Sequence, residues 1–243
     1  VGWRKFYNND VCAICGATED LVNCATPEQY VYVRACQAHK REVFRNRRQD
    51  YALANVDALM RNALVPVDYC TKTVRDWRAS KATRNEIIEY SSTWPYENDL
   101  VLHGPNNTGK THIAAALIRT GIVRHYQTRG MAFVSTWQAA VRLGDFKERN
   151  AAVAELLLPK LLVLDDISVP TNKQALEALY GVLDWRSSNR ADGFRTIVTM
   201  DQAPMEAEPN LGRRIVARLL RMRRMPLVTL TAEKRQSVAE SVG

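Results

Sequence analysis

From residue 99 onward the chain alternates short apolar runs with stretches in which apolar residues recur every three or four positions. The runs predict strands at 100–103, 132–135, 161–165, 195–199 and 226–230. The helical spacing predicts helices at 110–125, 137–146, 172–189 and 212–221. Strand and helix in regular turn indicate an α/β fold, a parallel sheet with helices on both faces. Upstream, "REVFRNRRQDYALANVDALMRNAL" spreads apolar residues at helical spacing among charges, and Pro66 ends that run. A connecting stretch with Trp77, Trp94 and Pro95 follows. Four parts are expected: a small lobe over 1–40, a helical linker or partner-binding segment over 41–67, the sheet domain over 68–232, and a flexible polar tail over 233–243.

Composition narrows the class. Hydrophobic residues make up 46% of the 243 positions, enough for a packed core and too many for wholesale disorder. The longest apolar run, "AELLLPKLLVL", is interrupted by Pro159 and Lys160 and falls far short of a membrane span. The opening "VGWRKFYNND" has no apolar core and does not read as a signal peptide. A cytoplasmic protein with no membrane partner is therefore expected. The net charge is +8, and residues 212–224, "GRRIVARLLRMRR", hold six arginines and no acid. Such a segment faces either a polyanion or solvent.

One stretch brings in chemistry. "GPNNTGKT", Gly104 to Thr111, fits G-x-x-x-x-G-K-[ST] between a predicted strand and a predicted helix. Gly104 and Gly109 permit the tight turn that aims successive backbone N–H groups at an anion. The positive end of the following helix adds to the attraction. Lys110 reaches the outer phosphates, and the Thr111 hydroxyl suits Mg²⁺. Asn107, Thr108 and His112 complete the expected nucleotide-binding set. Further on, "KLLVLDDIS" ends an apolar run on Asp165 and Asp166. A continuous apolar run is how a buried parallel strand reads, and its C-terminal end is where ligands sit in open α/β sheets. Asp165 is expected to hold Mg²⁺ through water, and Asp166 to orient or deprotonate the attacking water. The chemistry expected is Mg²⁺-dependent ATP hydrolysis.

In order and spacing, "GPNNTGKTHIAAALI", "LLVLDDIS", "LYGVLDWRSSNRADGFRTIVTMDQ" and "LGRRIVARLL" resemble the motifs of P-loop NTPases of the AAA+ type. The likeness is to the helicase loaders DnaC and DnaI and their transposition relative IstB, and it covers roughly residues 68–232. It implies an arginine finger at Arg218, in "IVARL", acting on the site of a neighbouring subunit, with Arg213 and Arg214 as the nearest competitors. It implies a polar sensor near the end of "TIVTMD", where Asp201 stands in place of the usual amide and Thr199 lies close by. Asp166 stands where many members carry Glu.

Five cysteines lie at 12, 15, 24, 36 and 70. An odd number with four close together argues for a metal site in a reducing compartment rather than a disulfide scaffold. Cys12 and Cys15 form C-x₂-C, and Cys36 and His39 form C-x₂-H, with twenty residues between the pairs. Together they can close one tetrahedral Zn²⁺ site in a small N-terminal zinc-binding lobe. Cys24 could take the place of Cys36 or His39. Cys70 reads as an ordinary buried thiol. A zinc lobe ahead of an ATPase core resembles the DnaI-type arrangement. On that ground the first reading is a loader that binds a replicative hexameric helicase, self-associates through its ATPase domain and delivers the helicase to single-stranded DNA. The alternatives are an IstB-like transposition or DNA-remodelling ATPase, and a nucleotide-switched adaptor with little turnover.

Overall fold

The computed structural model describes residues 14, 21–26, 29–167 and 172–227, with 21–26 and 29–34 described through the backbone alone. Five parallel strands form the main sheet: β3 (Leu100–His103), β4 (Met131–Ser135), β5 (Leu161–Asp165), β6 (Arg195–Met200) and β7 (Arg223–Pro226). Their spatial order is β4-β5-β6-β3-β7. The last strand in sequence but one, β6, is thus inserted between β3 and β5. Every strand except the edge strands is covered on both faces, so its residues alternate between two cores. Leu100, Leu102, Leu161, Val163 and Ile197 point into one. Val101, Leu162, Leu164, Val198 and Met200 point into the other. That double burial is why these strands read as unbroken apolar runs.

The first core is closed by α2 (Val56–Asn62), α3 (Lys81–Tyr90) and α4 (Lys110–His125). The second is closed by α5 (Thr136–Gly144), α6 (Arg149–Leu157), α7 (Lys173–Ser188) and the short α8 (Glu208–Leu211) and α9 (Arg213–Leu219). Ahead of them, α1 (Lys40–Ala54) follows an antiparallel hairpin of β1 (Leu21–Thr26) and β2 (Gln29–Cys36).

Several expectations are corrected here. The strand expected at 226–230 begins earlier: Arg223 pairs with Leu100, and Arg224 with Val101, on the edge of β3. Two arginines and a proline are poor strand formers; the exposed edge of β3 supplies the template. The helix expected at 212–221 is shorter, and Gly212 with φ +78° separates it from α8. A separate helix, α6, fills the interval before β5 that carried no helical expectation. The hairpin at 21–36 was likewise unforeseen, although "QYVYVRAC" is rich in β-branched and aromatic residues.

Of the expected zinc site, Cys12 and Cys15 lie outside the described residues. Cys36 Sγ and His39 Nδ1 are 3.3 Å apart, as a chelating pair requires. Cys24 pairs with Val33, three rungs from the Leu21–Cys36 pair. Among the described residues no three His, Cys, Asp or Glu side chains are grouped to hold a metal, so zinc has no support there.

Candidate nucleotide-binding site

All strands of the main sheet end on the same side, and the segments that leave β3, β5 and β6 meet there. The loop after β3 carries three left-handed or strongly positive φ values: Gly104 at 144°, Asn107 at 65° and Gly109 at 91°. Asparagine tolerates that region better than most side-chain-bearing residues. The two glycines are also demanded by packing. A Cβ on Gly104 would collide with the Leu227 carbonyl, and one on Gly109 would sit 2.5 Å from Trp77 Nε1.

Lys110 opens α4 and is nearly buried, at 8% exposure. Its ammonium donates to the carbonyls of Gly104 at 2.8 Å and Pro105 at 2.9 Å. It also pairs with Asp201 Oδ1 at 2.9 Å. The Asn106 amide, in its satisfied orientation, donates to the same carboxylate at 2.9 Å. Thr111 follows, and its hydroxyl reaches both carboxylate oxygens of Asp165, at 3.0 and 3.2 Å.

The insertion of β6 between β3 and β5 places Thr199 at the junction. Its buried hydroxyl donates to Asp165 Oδ1 at 2.7 Å and accepts the backbone N–H of Asp166 at 2.8 Å. Asp166 has φ 59°, a left-handed conformation that turns the chain sharply after β5. Burial pushes the Asp165 carboxyl above the ordinary carboxylate range, and the neighbouring Asp201 adds to this. The hydroxyls of Thr199 and Thr111 and the Lys110 ammonium pull it back. Hydroxyl and carboxylate oxygens side by side are a donor set that suits Mg²⁺, and the glycine turn with its inward N–H groups suits phosphate. The residues present thus fit a Mg²⁺–nucleoside triphosphate.

Two expected members stand elsewhere. The His112 ring donates from Nε2 to the Thr73 carbonyl at 2.8 Å, which turns it towards the segment before α3. Arg218 makes no contact with the loop. It pairs with Asp184 and approaches the Tyr180 hydroxyl, both on α7. Arg214 lies 4.0 Å over the Tyr180 ring, and Arg223 pairs with Glu86 at 3.1 Å. The arginine-rich segment is therefore partly consumed within the chain.

Trp77 is a site residue that no motif announced. It is 5% exposed and donates from Nε1 to the Thr108 carbonyl at 2.9 Å, which braces the loop from beneath. Its neighbours repeat the arrangement: Thr73 accepts from His112, and Cys70 accepts from Arg119 at 3.0 Å. The segment from Cys70 to Trp77 is thereby strapped to the loop and to α4. Trp77→Phe keeps most of the packing and leaves the Thr108 carbonyl without its donor. We expect a stability loss of about 1–2 kcal/mol in thermal unfolding and a several-fold weaker nucleotide affinity by titration. Unchanged affinity would mean that the glycines alone set the loop.

Among the described residues no helix is long and apolar enough to cross a membrane. A search of curated proteins gives no match. Among solved structures, domain III of the Thermotoga maritima replication initiation protein DnaA superposes with a TM-score of 0.60 at 17% identity, over 72% of this chain and 73% of that one. AMPPCP-bound DnaA from Aquifex aeolicus gives 0.58 at 15% identity over 70% of this chain, which spans only 54% of that protein. The DnaC helicase loader gives 0.56 at 20% identity, over 67% of this chain and the whole of that one. At such identities the likeness is one of fold. The family model described as "IstB-like ATP binding protein" matches residues 16–225, beginning just after the first cysteine pair and ending within β7. That match reverses the order of the readings drawn from the cysteines, which placed the loader first. By this match the chain belongs to the IstB-like ATP-binding family of AAA+ proteins.

Proposed function

We propose that the protein is an ATP-hydrolysing AAA+ ATPase of the IstB kind, which acts on DNA as an assembly of its own copies. The observation that carries this reading is the convergence of Lys110, Thr111, Asp165, Thr199 and Asp201 at the ends of β3, β5 and β6, with Thr111 and Asp165 3.0 Å apart. In this reading Lys110 binds the outer phosphates. Thr111 and Asp165 hold Mg²⁺, which supplies charge neutralisation at the phosphates. Asp166, turned outward by its left-handed backbone, orients the attacking water. Thr199 fixes the direction of Asp165 and the backbone of Asp166 together. The loader reading, with a replicative helicase and single-stranded DNA as partners, takes second place because the family match is to IstB-like proteins.

Arg218 is proposed as the group that completes a neighbour's site. Within its own chain it is tied to α7, on the face of the sheet opposite α4, so a head-to-tail assembly would bring it to a second copy. An arginine aimed at transferring phosphate is worth roughly 10³–10⁵ in rate. Arg218→Ala and Lys110→Ala chains are each expected to be nearly inactive alone. Mixed, with duplex DNA present, they should recover part of the turnover, because some interfaces then hold an intact Lys110 and an intact Arg218. Normal turnover by Arg218→Ala alone would move the role to Arg213 or Arg214. No turnover by the parent chain, at any concentration and with DNA present, would leave the nucleotide-switched adaptor as the better description.

A further inference from the structure

Lys110 is already engaged by a side chain that faces the phosphate loop. The Asp201 carboxylate holds its ammonium at 2.9 Å, and the Asn106 amide supports that carboxylate from the loop itself. Asp165 lies in the same site, its carboxylate 3.0 Å from the hydroxyl of Thr111, the residue next to Lys110. The loop mouth therefore presents two carboxylates, Asp165 and Asp201, beside the Lys110 ammonium. A triphosphate entering there brings several negative charges, meets the carboxylates of Asp165 and Asp201, and must share Lys110 with Asp201. The backbone N–H groups supply only partial charges to offset it.

We propose that Asp201 couples nucleotide binding to Mg²⁺, so that the chain takes up the Mg²⁺–ATP complex and rejects the bare nucleotide. The inference rests on the reading of this loop as an ATP site and goes further, since Mg²⁺ becomes a condition of binding as well as of hydrolysis. An amide at position 201 would leave Lys110 to the phosphates and relax the requirement. At an effective dielectric of about 20, one unit charge a few ångströms away is worth on the order of a hundredfold in affinity. By linkage, whatever factor Mg²⁺ gives to ATP affinity, ATP gives to Mg²⁺ affinity.

The test is a titration with the fluorescent analogue mant-ATP, in Mg²⁺ and in EDTA, on the parent chain and on Asp201→Asn. Asp201→Ser serves as a second variant, and thermal unfolding checks that all three fold alike. In EDTA the parent should bind about a hundredfold more weakly than in Mg²⁺. Asp201→Asn should bind at least about tenfold more tightly than the parent in EDTA, and so narrow the gap between the two conditions. A merely structural role would move both conditions together. Equal changes in EDTA and in Mg²⁺, or none in either, overturn the coupling while leaving the nucleotide site standing. Failure of the folded parent to bind mant-ATP even with Mg²⁺ overturns the site and the coupling with it.

Discussion

Lys110→Ala is expected to lower ATP turnover by at least about a hundredfold and to weaken nucleotide binding strongly. The outer phosphates lose a full positive charge in a site of low solvent access, where one such charge is worth about 3–4 kcal/mol at an effective dielectric of about 20. The protein itself also loses an anchor. The ammonium donates to two loop carbonyls and pairs with Asp201, so its removal frees the loop and takes that cation from Asp201. Lys110→Met keeps most of the side-chain volume and should fail in the same way, which separates the charge from the packing. A steady-state assay across ATP concentrations, with thermal unfolding alongside, checks both effects. Parent-like turnover by either variant would place the chemistry somewhere other than this loop.

The largest effect on stability is expected at Arg186. It is 1% exposed, and its guanidinium is the hub of the sheet's far end. It donates to Thr196 Oγ1 at 2.9 Å and to the carbonyls of Leu156, Pro159, Lys160 and Arg195 at 3.1, 2.8, 3.3 and 2.6 Å. These acceptors come from α6, from the loop before β5 and from the start of β6, so one side chain ties three segments together. Burial pushes its pKa down to about 10, with Asp99 pulling the other way, and it stays charged at neutral pH. Arg186→Met fills much of the space but leaves buried carbonyls without donors. Loss of one partner from such a buried charged network costs about 3–5 kcal/mol. For a chain of this size that corresponds to a fall in melting temperature of between about 6 and 20 °C. The network sits at the N-terminal ends of the strands, away from the phosphate loop, so nucleotide affinity of the folded variant at low temperature should stay near that of the parent. A fall of less than about 1 kcal/mol would show that water or a rearranged side chain replaces the guanidinium.

The ion pairs of the arginine-rich segment show how a composition signal divides on folding. Six arginines without an acid suggest one basic surface. Yet Arg218 finds Asp184, Arg223 finds Glu86, and Arg214 covers Tyr180. Their partners lie on other helices, so a count along the segment does not reveal them. Arg213, Arg221 and Arg224 make no ion pair among the described residues, and all three are exposed.

Much of the sheet domain was legible in the sequence. Strands buried on both faces are apolar at most positions, which marks β3, β5 and β6 in the sequence; the buried Thr196 and Thr199 of β6 are exceptions, and both are hydrogen-bonded. A phosphate loop needs its glycines, lysine and hydroxyl within a few residues, so its signature is local and survives without any knowledge of the fold. Asp165 and Asp166 were legible for the same reason, as acids at the end of an apolar run. The order of the strands was not. The placement of β6 between β3 and β5 follows from how the helices cover the two cores, and the period of the pattern carries no record of it. That placement brings Thr199 onto Asp165 across 34 residues and Asp201 onto Lys110. The same limit hid Trp77, which braces Thr108 from 31 residues away. Local sequence thus determined which groups could bind phosphate and Mg²⁺, because backbone conformation and strand burial are short-range requirements. Tertiary structure decided which carboxylate holds the lysine and which indole supports the loop, because those contacts arise only when distant segments pack against one another.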